Sequence, residues 1–213
     1  MKNLQAGVVA LVFGLLMFVP VIVLGSAIGW PASLDEPATV MMPLLREQAA
    51  AVQLGYLAYL AYSILFLPAI ALVARLAGDS SLVRIAIVLA AVSALARSIG
   101  IVRWLTALPE LAESGESPEL FDAINSYGGA IGELLGVSLF GAGAIVTVSL
   151  AVRHVLPRWV SISGVIVAAG LVLPWLELFG IDLGPIISIS VAGVQLWFLA
   201  VGGLLVLRAR ASR

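Results

Sequence analysis

Charged side chains within otherwise apolar stretches are the residues of this sequence that could do chemistry. Arg97 and Arg103 lie in the third long apolar run, and Glu133 lies in the fourth. A charge at the centre of a membrane-spanning helix costs about 2.5–3.5 kcal/mol on insertion scales, so each group needs a partner. Arg97 and Glu133 fall at similar depths on consecutive antiparallel helices, which predicts an ion pair between them. Arg103 is nearer the helix end and could reach Glu47, Glu133 or a loop carboxylate.

A stripe of tyrosines on the second apolar run could line a ligand cavity beside these charges. Tyr56, Tyr59 and Tyr62 follow Gln53 at every third residue, on one drifting face of a helix. Such a stripe can also pack between helices, and the charges can simply fix helix register, because desolvation offsets the attraction of a buried ion pair. In the functional interpretation, a ligand-binding site faces the outside. Its residues would be Arg97, Arg103, Glu133, Glu47, Tyr56 and Tyr59.

The composition excludes several other kinds of site. The absence of cysteine removes thiolate catalysis and Cys-ligated metals, and the single histidine, His154, is too few for a His-rich metal site. The only lysine is Lys2, which excludes a Schiff base inside the bundle. The acidic segment 110–122 lacks a compact calcium loop, and no basic stripe with interleaved aromatic residues indicates nucleic acid. We therefore expect no cofactor, no metal and no catalytic residue.

Six long apolar runs must position these side chains. They cover residues 6–29, 49–74, 83–107, 128–152, 159–179 and 185–207. The chain is 62% hydrophobic and 11% charged, against about 25% charged residues in soluble domains, and its mean hydropathy is +1.16. Runs of this length predict membrane-spanning helices, whose backbone groups pair internally. The sequence therefore predicts an all-α polytopic membrane protein, a six-transmembrane-helix bundle in a single membrane domain over residues 1–213.

The basic residues predict the orientation of the bundle. Eight of the eleven Lys and Arg residues flank the runs on one side, and only Arg46 lies outside the runs on the other side. Basic residues near the ends of spans mark the cytoplasmic side, so both termini should be cytoplasmic. The first run is longer than the apolar core of a signal peptide, so it is expected to remain as a span. The expected location is the inner (plasma) membrane, as a multi-pass protein with the lipid bilayer as its main partner.

Two further patterns concern the outer side and the fourth span. Ser117-Pro118-Glu119 is a good helix start, and the apolar residues that follow, Phe121 among them, predict a short amphipathic helix on the outer membrane surface. In the fourth run, Gly132 and Gly136 are four residues apart, a spacing that lets two helix backbones approach closely. This close approach would also bring the Glu133 carboxylate near its partner.

The junction between the fourth and fifth runs resembles a known family. It contains SLFGAGA at 138–144 and RHVLPRWVSISG at 153–164, with a Leu-Pro-basic-Trp turn before a glycine-containing helix. These segments are similar to a bacterial family of six-span membrane proteins, the domain of unknown function 4386. The resemblance implies a membrane location and six spans. It implies no assigned chemistry and supplies no catalytic residues.

Three functions are compatible with these patterns. The first is a non-catalytic membrane protein whose outward-facing polar site binds a small ligand, a lipid headgroup or a partner helix. The second is a small secondary transporter that uses Glu133 as a proton-linked carboxylate. The third is a membrane enzyme that acts on lipid, with Glu133 or Glu177 as a general base. The absence of charged residues from the inner halves of the runs weighs against transport, and the absence of an evident nucleophile or metal weighs against catalysis.

Overall fold

The computed structural model describes residues 1–115, 117–181 and 186–211, and these residues form helices joined by short turns. Within them, six helical segments are long and apolar enough to cross a membrane. The predictions of an all-α fold and of six spans are therefore confirmed. The spans cover Lys2–Ile28, Ala49–Ala77, Ser81–Ser114, Pro118–His154, Arg158–Phe179 and Ile189–Ala211.

Several spans are built from more than one helix. The first span comprises α1 and α2, and the fourth comprises α7, a wide-turned π-helical segment and α8. Glu133 lies in the π segment, and wide turns of this kind are frequent at functional sites. The α-helices are α1 Lys2–Leu16, α2 Phe18–Ile28, α3 Ala38–Glu47, α4 Ala49–Ala74, α5 Ser81–Leu105, α6 Ala107–Ser114, α7 Pro118–Gly129, α8 Ala142–Ala151, α9 Arg158–Val172 and α10 Ile186–Ala211, and the π segment is Ala130–Gly141.

The six spans form a closed ring. Each span packs against the next one in the chain, and α10 packs along α1 to close the ring. A Cβ atom at Gly7 of α1 would lie 2.9 Å from the Gly202 carbonyl oxygen of α10, so glycines allow this closing contact. The end of the ring that holds Lys2 and Ala211 is called the terminal end. The opposite end is called the cap end.

Three short helices cover the cap end. α3, α6 and α7 pack together, and Phe121 of α7 is fully buried with Leu108 of α6. The Asp122 carboxylate accepts a hydrogen bond of 2.8 Å from the Ala38 backbone N–H, at the first residue of α3. The predicted helix after Ser117 is thus present. Its most buried apolar side chain packs on the protein, because α3 and α6 offer an apolar surface. Its placement on the outer membrane surface stays a prediction.

The apolar core fills the terminal half of the ring. Phe13, Phe66 and Phe198 are fully buried, and their ring centroids lie 4.4–6.2 Å apart. Smaller buried side chains such as Ile70 and Val148 continue this core along the bundle axis. Close packing here leaves the open space of the bundle in the half nearer the cap.

Candidate functional site

A cavity of about 520 Å³ lies in the cap half of the ring. All six spans contribute side chains to its lining, and Trp30, Pro31 and Leu34 line it from the segment that precedes α3. Most lining side chains are apolar. The polar ones are Tyr56, Tyr59, Arg97, Arg103, Glu133, Ser138, Glu177, Ser190 and Gln195.

Gly100 and Gly132 bring the third and fourth spans together beside this cavity. A Cβ atom at Gly100 would lie 2.7 Å from the Gly132 Cα and 2.9 Å from the Gly128 carbonyl oxygen. A Cβ atom at Gly136 would lie 2.9 Å from the backbone nitrogen of Arg97. The close approach predicted for Gly132 and Gly136 is therefore confirmed, and it fixes which residues of the two spans face each other.

Arg103 makes the ion pair with Glu133. Arg103 Nη2 lies 3.9 Å from Glu133 Oε1, and the two side chains are 9% and 54% exposed. Arg103 also donates from Nε to Asn125 Oδ1 at 3.2 Å and from Nη1 to the Gly100 carbonyl oxygen. Its guanidinium carbon lies 5.5 Å from the centre of the Trp104 ring. This arginine therefore has a carboxylate, an amide and a carbonyl as partners.

Arg97 has a different environment from Arg103. Its side chain is buried, at 4% exposure, and its guanidinium carbon lies 4.4 Å over the centre of the Phe66 ring. The Tyr62 hydroxyl lies near this arginine. The Arg97 Nε atom is buried and has no hydrogen-bond partner. Between these two described residues, the predicted Arg97–Glu133 ion pair is not formed, so that prediction was wrong.

The direction of helical side chains explains this error. Side chains on a helix tilt toward its N-terminus. α5 begins at the terminal end, so Arg97 points away from the cap and its guanidinium lies beside Gly141. The fourth span begins at the cap end, so Glu133 points toward the cap and meets Arg103. The backbones of Arg97 and Glu133 lie at similar depths, but their charged groups therefore lie at different depths.

Two of the three tyrosines line the cavity. Tyr56 is buried and stacks on Trp104, with ring centres 4.9 Å apart and planes 8° apart. Tyr59 is half-buried and meets Trp30 edge to face, with ring centres 5.6 Å apart. Tyr62 lies deeper, stacked on Phe13 with ring centres 4.3 Å apart. The stripe thus combines the two roles that the sequence left open, because its first two members face the cavity and its third packs in the core.

Glu47 is not among the cavity residues. It is the last residue of α3 and is exposed. α3 turns Met41, Met42 and Leu45 toward the buried side of the cap, and Glu47 lies two residues beyond Leu45, on the opposite face. Five of the six predicted site residues therefore line one cavity. Whether that cavity binds a ligand stays a prediction.

Two polar residues at this site were missed by the sequence argument. Asn125 accepts from Arg103 and donates from Nδ2 to the Leu34 carbonyl oxygen at 3.1 Å, which ties the cap to the site. Gln195 lines the cavity and donates from Nε2 to the Tyr62 hydroxyl at 2.8 Å. A glutamine within the sixth apolar run was a usable signal for Gln195. No local pattern distinguishes Asn125 from the other polar residues that follow the acidic segment 110–122.

Several buried polar atoms around the cavity lack a hydrogen-bond partner in the protein. They belong to four lining residues and are Trp30 Nε1, Tyr56 Oη, Arg97 Nε and Gln195 Oε1. Buried polar groups are nearly always bonded to protein, water or ligand, so such a cluster requires an explanation. Among the residues that the structure describes, no group of three or more His, Asp or Glu side chains is placed to hold a metal ion.

The chain belongs to a family of unknown function. The sequence profile of the family described as "Domain of unknown function (DUF4386)" matches residues 6–208, nearly the whole chain. The resemblance seen at the junction of the fourth and fifth spans is thus confirmed. No curated protein and no solved structure gives a significant match.

Proposed function

We propose that this DUF4386 membrane protein binds one small, largely apolar molecule in the cavity at its cap end. The observation that carries the proposal is a void of about 520 Å³ in a bundle whose other half is closely packed. Protein interiors contain few spaces larger than a water molecule, so an open space of this size is the first candidate for a binding site. Ligand pockets measure about 300–1,000 Å³ and are apolar with a few convergent polar groups, as this one is.

The membrane is the proposed source of the ligand. Phe18, Val21 and Leu196 line the cavity and are nevertheless 47%, 41% and 66% exposed. These three side chains belong to the first and sixth spans. An apolar molecule dissolved in the bilayer would meet these apolar side chains and would not need to cross water.

Binding fits the contacts of the site better than transport or catalysis does. A transported molecule needs a path to the terminal end, and Phe13, Phe66 and Phe198 occupy the bundle axis there. A proton-linked transporter would use the carboxylate of Glu133, which is paired with Arg103. A lipid enzyme could use Glu133 or Glu177, but among the described residues neither carboxylate belongs to a group of three or more His, Asp or Glu side chains that could hold a metal ion. A volume of about 520 Å³ holds only about one turn of a helix 10–12 Å wide, which is too little for a partner helix.

We also infer that the protein lies in the plasma membrane with its cap outside. Basic residues mark the cytoplasmic side of a membrane protein. Within the described part of the chain, seven basic residues lie at or near the terminal end, and they are Lys2, Arg75, Arg84, Arg153, Arg158, Arg208 and Arg210. In this orientation the cavity lies in the outer half of the bilayer.

A cavity-filling substitution tests the binding proposal. Val137 lines the cavity from the π segment, and Val137→Phe would place a phenyl ring within it. Leu139 belongs to the same segment, is 47% exposed and does not line the cavity, so Leu139→Phe is the matched control. Binding of hexadecanol, a neutral amphiphile, is measured by native mass spectrometry after release from phosphatidylcholine nanodiscs.

The wild type and the Leu139→Phe variant are expected to bind one hexadecanol molecule, and Val137→Phe is expected to bind none. The melting temperature without ligand should be unchanged or raised in Val137→Phe, because the ring fills empty space. Equal binding by all three proteins would refute the proposal, and so would a wild type that binds no probe of any charge.

A further inference from the structure

We propose that the bound molecule carries a single anionic group and that Arg97 binds this group at the deep end of the cavity. The inference rests on the proposed function and specifies its ligand as an anionic amphiphile. The shared chemistry is a carboxylate or phosphate attached to an apolar chain. A free fatty acid and a membrane phospholipid are the two sources of that chemistry.

The two arginines of the cavity differ in how far their charges are already compensated. Arg103 has the Glu133 carboxylate, the Asn125 amide and the Gly100 carbonyl as partners. Arg97 has the Phe66 ring and the Tyr62 hydroxyl, both of which are uncharged. No described Asp or Glu forms an ion pair with Arg97.

Because the partners of Arg97 are uncharged, they offset little of the free energy that burying its charge costs. A guanidinium has five N–H donors, and at least the Nε donor of Arg97 is unbonded although the side chain is only 4% exposed. A cation over an aromatic ring gains less than a cation paired with a carboxylate or phosphate, where two N–H groups can bond in parallel. An anion beside Arg97 would supply both the missing charge and the missing acceptor.

Gln195 can assist the same group. Its Nε2 donates to Tyr62 Oη and its Oε1 has no partner. Rotation of this amide by half a turn would let Oε1 accept from the Tyr62 hydroxyl and would turn Nε2 away from it. Tyr62 could then accept from Arg97 and donate to Gln195, and the Gln195 N–H groups would be available to an anion in the cavity that both residues line.

The rest of the cavity determines the apolar part of the ligand. An inorganic anion at Arg97 would leave most of the 520 Å³ unfilled, beside apolar side chains such as Ile101, Leu134 and Val191. An apolar chain in that space would contact these apolar side chains, which a small anion at Arg97 would not reach. A molecule with one anionic group and one apolar chain matches both parts of the lining.

The test compares charged and neutral probes on wild type and Arg97 variants in phosphatidylcholine nanodiscs. The probes are palmitate at alkaline pH, hexadecanol, which has the same chain without the charge, and phosphatidic acid. The variants are Arg97→Gln and Arg97→Lys, the second of which keeps the charge but loses the planar pair of donors. Native mass spectrometry gives the affinity, and thermal unfolding gives the stability with and without probe.

The wild type should bind one anionic probe at least about tenfold more tightly than Arg97→Gln does, with Arg97→Lys between them. Hexadecanol should bind wild type and Arg97→Gln equally. Without ligand, Arg97→Gln should melt at a higher temperature than the wild type, because it removes a buried charge that lacks a counter-charge. A purely structural arginine would give the opposite sign. Preference for palmitate would identify a free fatty acid as the source, and preference for phosphatidic acid would identify a phospholipid.

Three results would overturn the inference. If palmitate, phosphatidic acid and hexadecanol bind the wild type and Arg97→Gln with equal affinity, the ligand is not selected by charge, and the proposed binding function stands alone. If none of the three probes binds the wild type, the proposed function fails together with the inference. Loss of thermal stability in Arg97→Gln without ligand, with no change in anion affinity, would assign Arg97 to packing.

Discussion

Replacing Gly100 with alanine should destabilise the bundle where the third and fourth spans come closest. The added Cβ would lie 2.7 Å from the Gly132 Cα and 2.9 Å from the Gly128 carbonyl oxygen. Carbon atoms in contact prefer about 3.5–4.0 Å, so the two backbones would have to separate by about 1 Å. No side chain can rotate away, because both obstacles are backbone atoms. Overpacking of this kind costs about 1–3 kcal/mol.

Thermal unfolding of the purified protein measures this effect. For a chain of this length, 1 kcal/mol shifts the melting temperature by about 2–4 °C, so Gly100→Ala should lower it by roughly 2–12 °C. Gly203→Ala in α10 is the control, because a Cβ there meets no atom within 4 Å. Alanine is the better helix former by up to about 1 kcal/mol, so Gly203→Ala should be neutral or stabilising. A Gly100→Ala protein as stable as Gly203→Ala would refute the argument that this contact sets the distance between the spans.

Two further predictions concern the cap and the orientation. Asp122→Ala removes the hydrogen bond to the Ala38 N–H at the start of α3 and should lower the free energy of unfolding by about 0.5–2 kcal/mol, measured by thermal or denaturant unfolding. Asp122→Asn keeps an acceptor and should lower it less. Equal losses in the two variants would show that the side-chain oxygen does not cap α3. The chain has no cysteine, so single substitutions can be labelled in whole cells with a membrane-impermeant maleimide. The exposed Glu113→Cys should react from outside and the exposed Ser81→Cys only after the membrane is opened, and the reverse pattern would invert the proposed orientation.

Much of the fold could be predicted because its determinants are local. A run of about 20 apolar residues must form a helix in a membrane whatever its neighbours do, since its backbone groups have no other partners. The family could likewise be identified from the short junction around Pro157, and the profile match over residues 6–208 agrees. The orientation also has a local signal, the distribution of basic residues, and it stays a prediction.

The candidate site was predicted less completely, because its contacts depend on two helices at once. Depth along each helix suggested that Arg97 would meet Glu133, but side chains on antiparallel helices tilt in opposite directions. In the structure, Glu133 forms its ion pair with Arg103, and the Arg97 guanidinium lies over the Phe66 ring. Asn125 contacts Arg103 because of the way the cap folds, and no spacing along the sequence predicts that contact.

By itself, the sequence determined that this chain is a membrane protein with six spans. It also determined that the charged residues within the spans lie in the half nearer the acidic segment 110–122. Those properties follow from hydropathy, length and position, which each segment carries alone. Only the tertiary structure decided which charges pair and that a cavity of about 520 Å³ remains between them. The physical reason is that register and void volume depend on how closely two backbones approach. That distance is set where Gly100 meets Gly132, by residues on different spans.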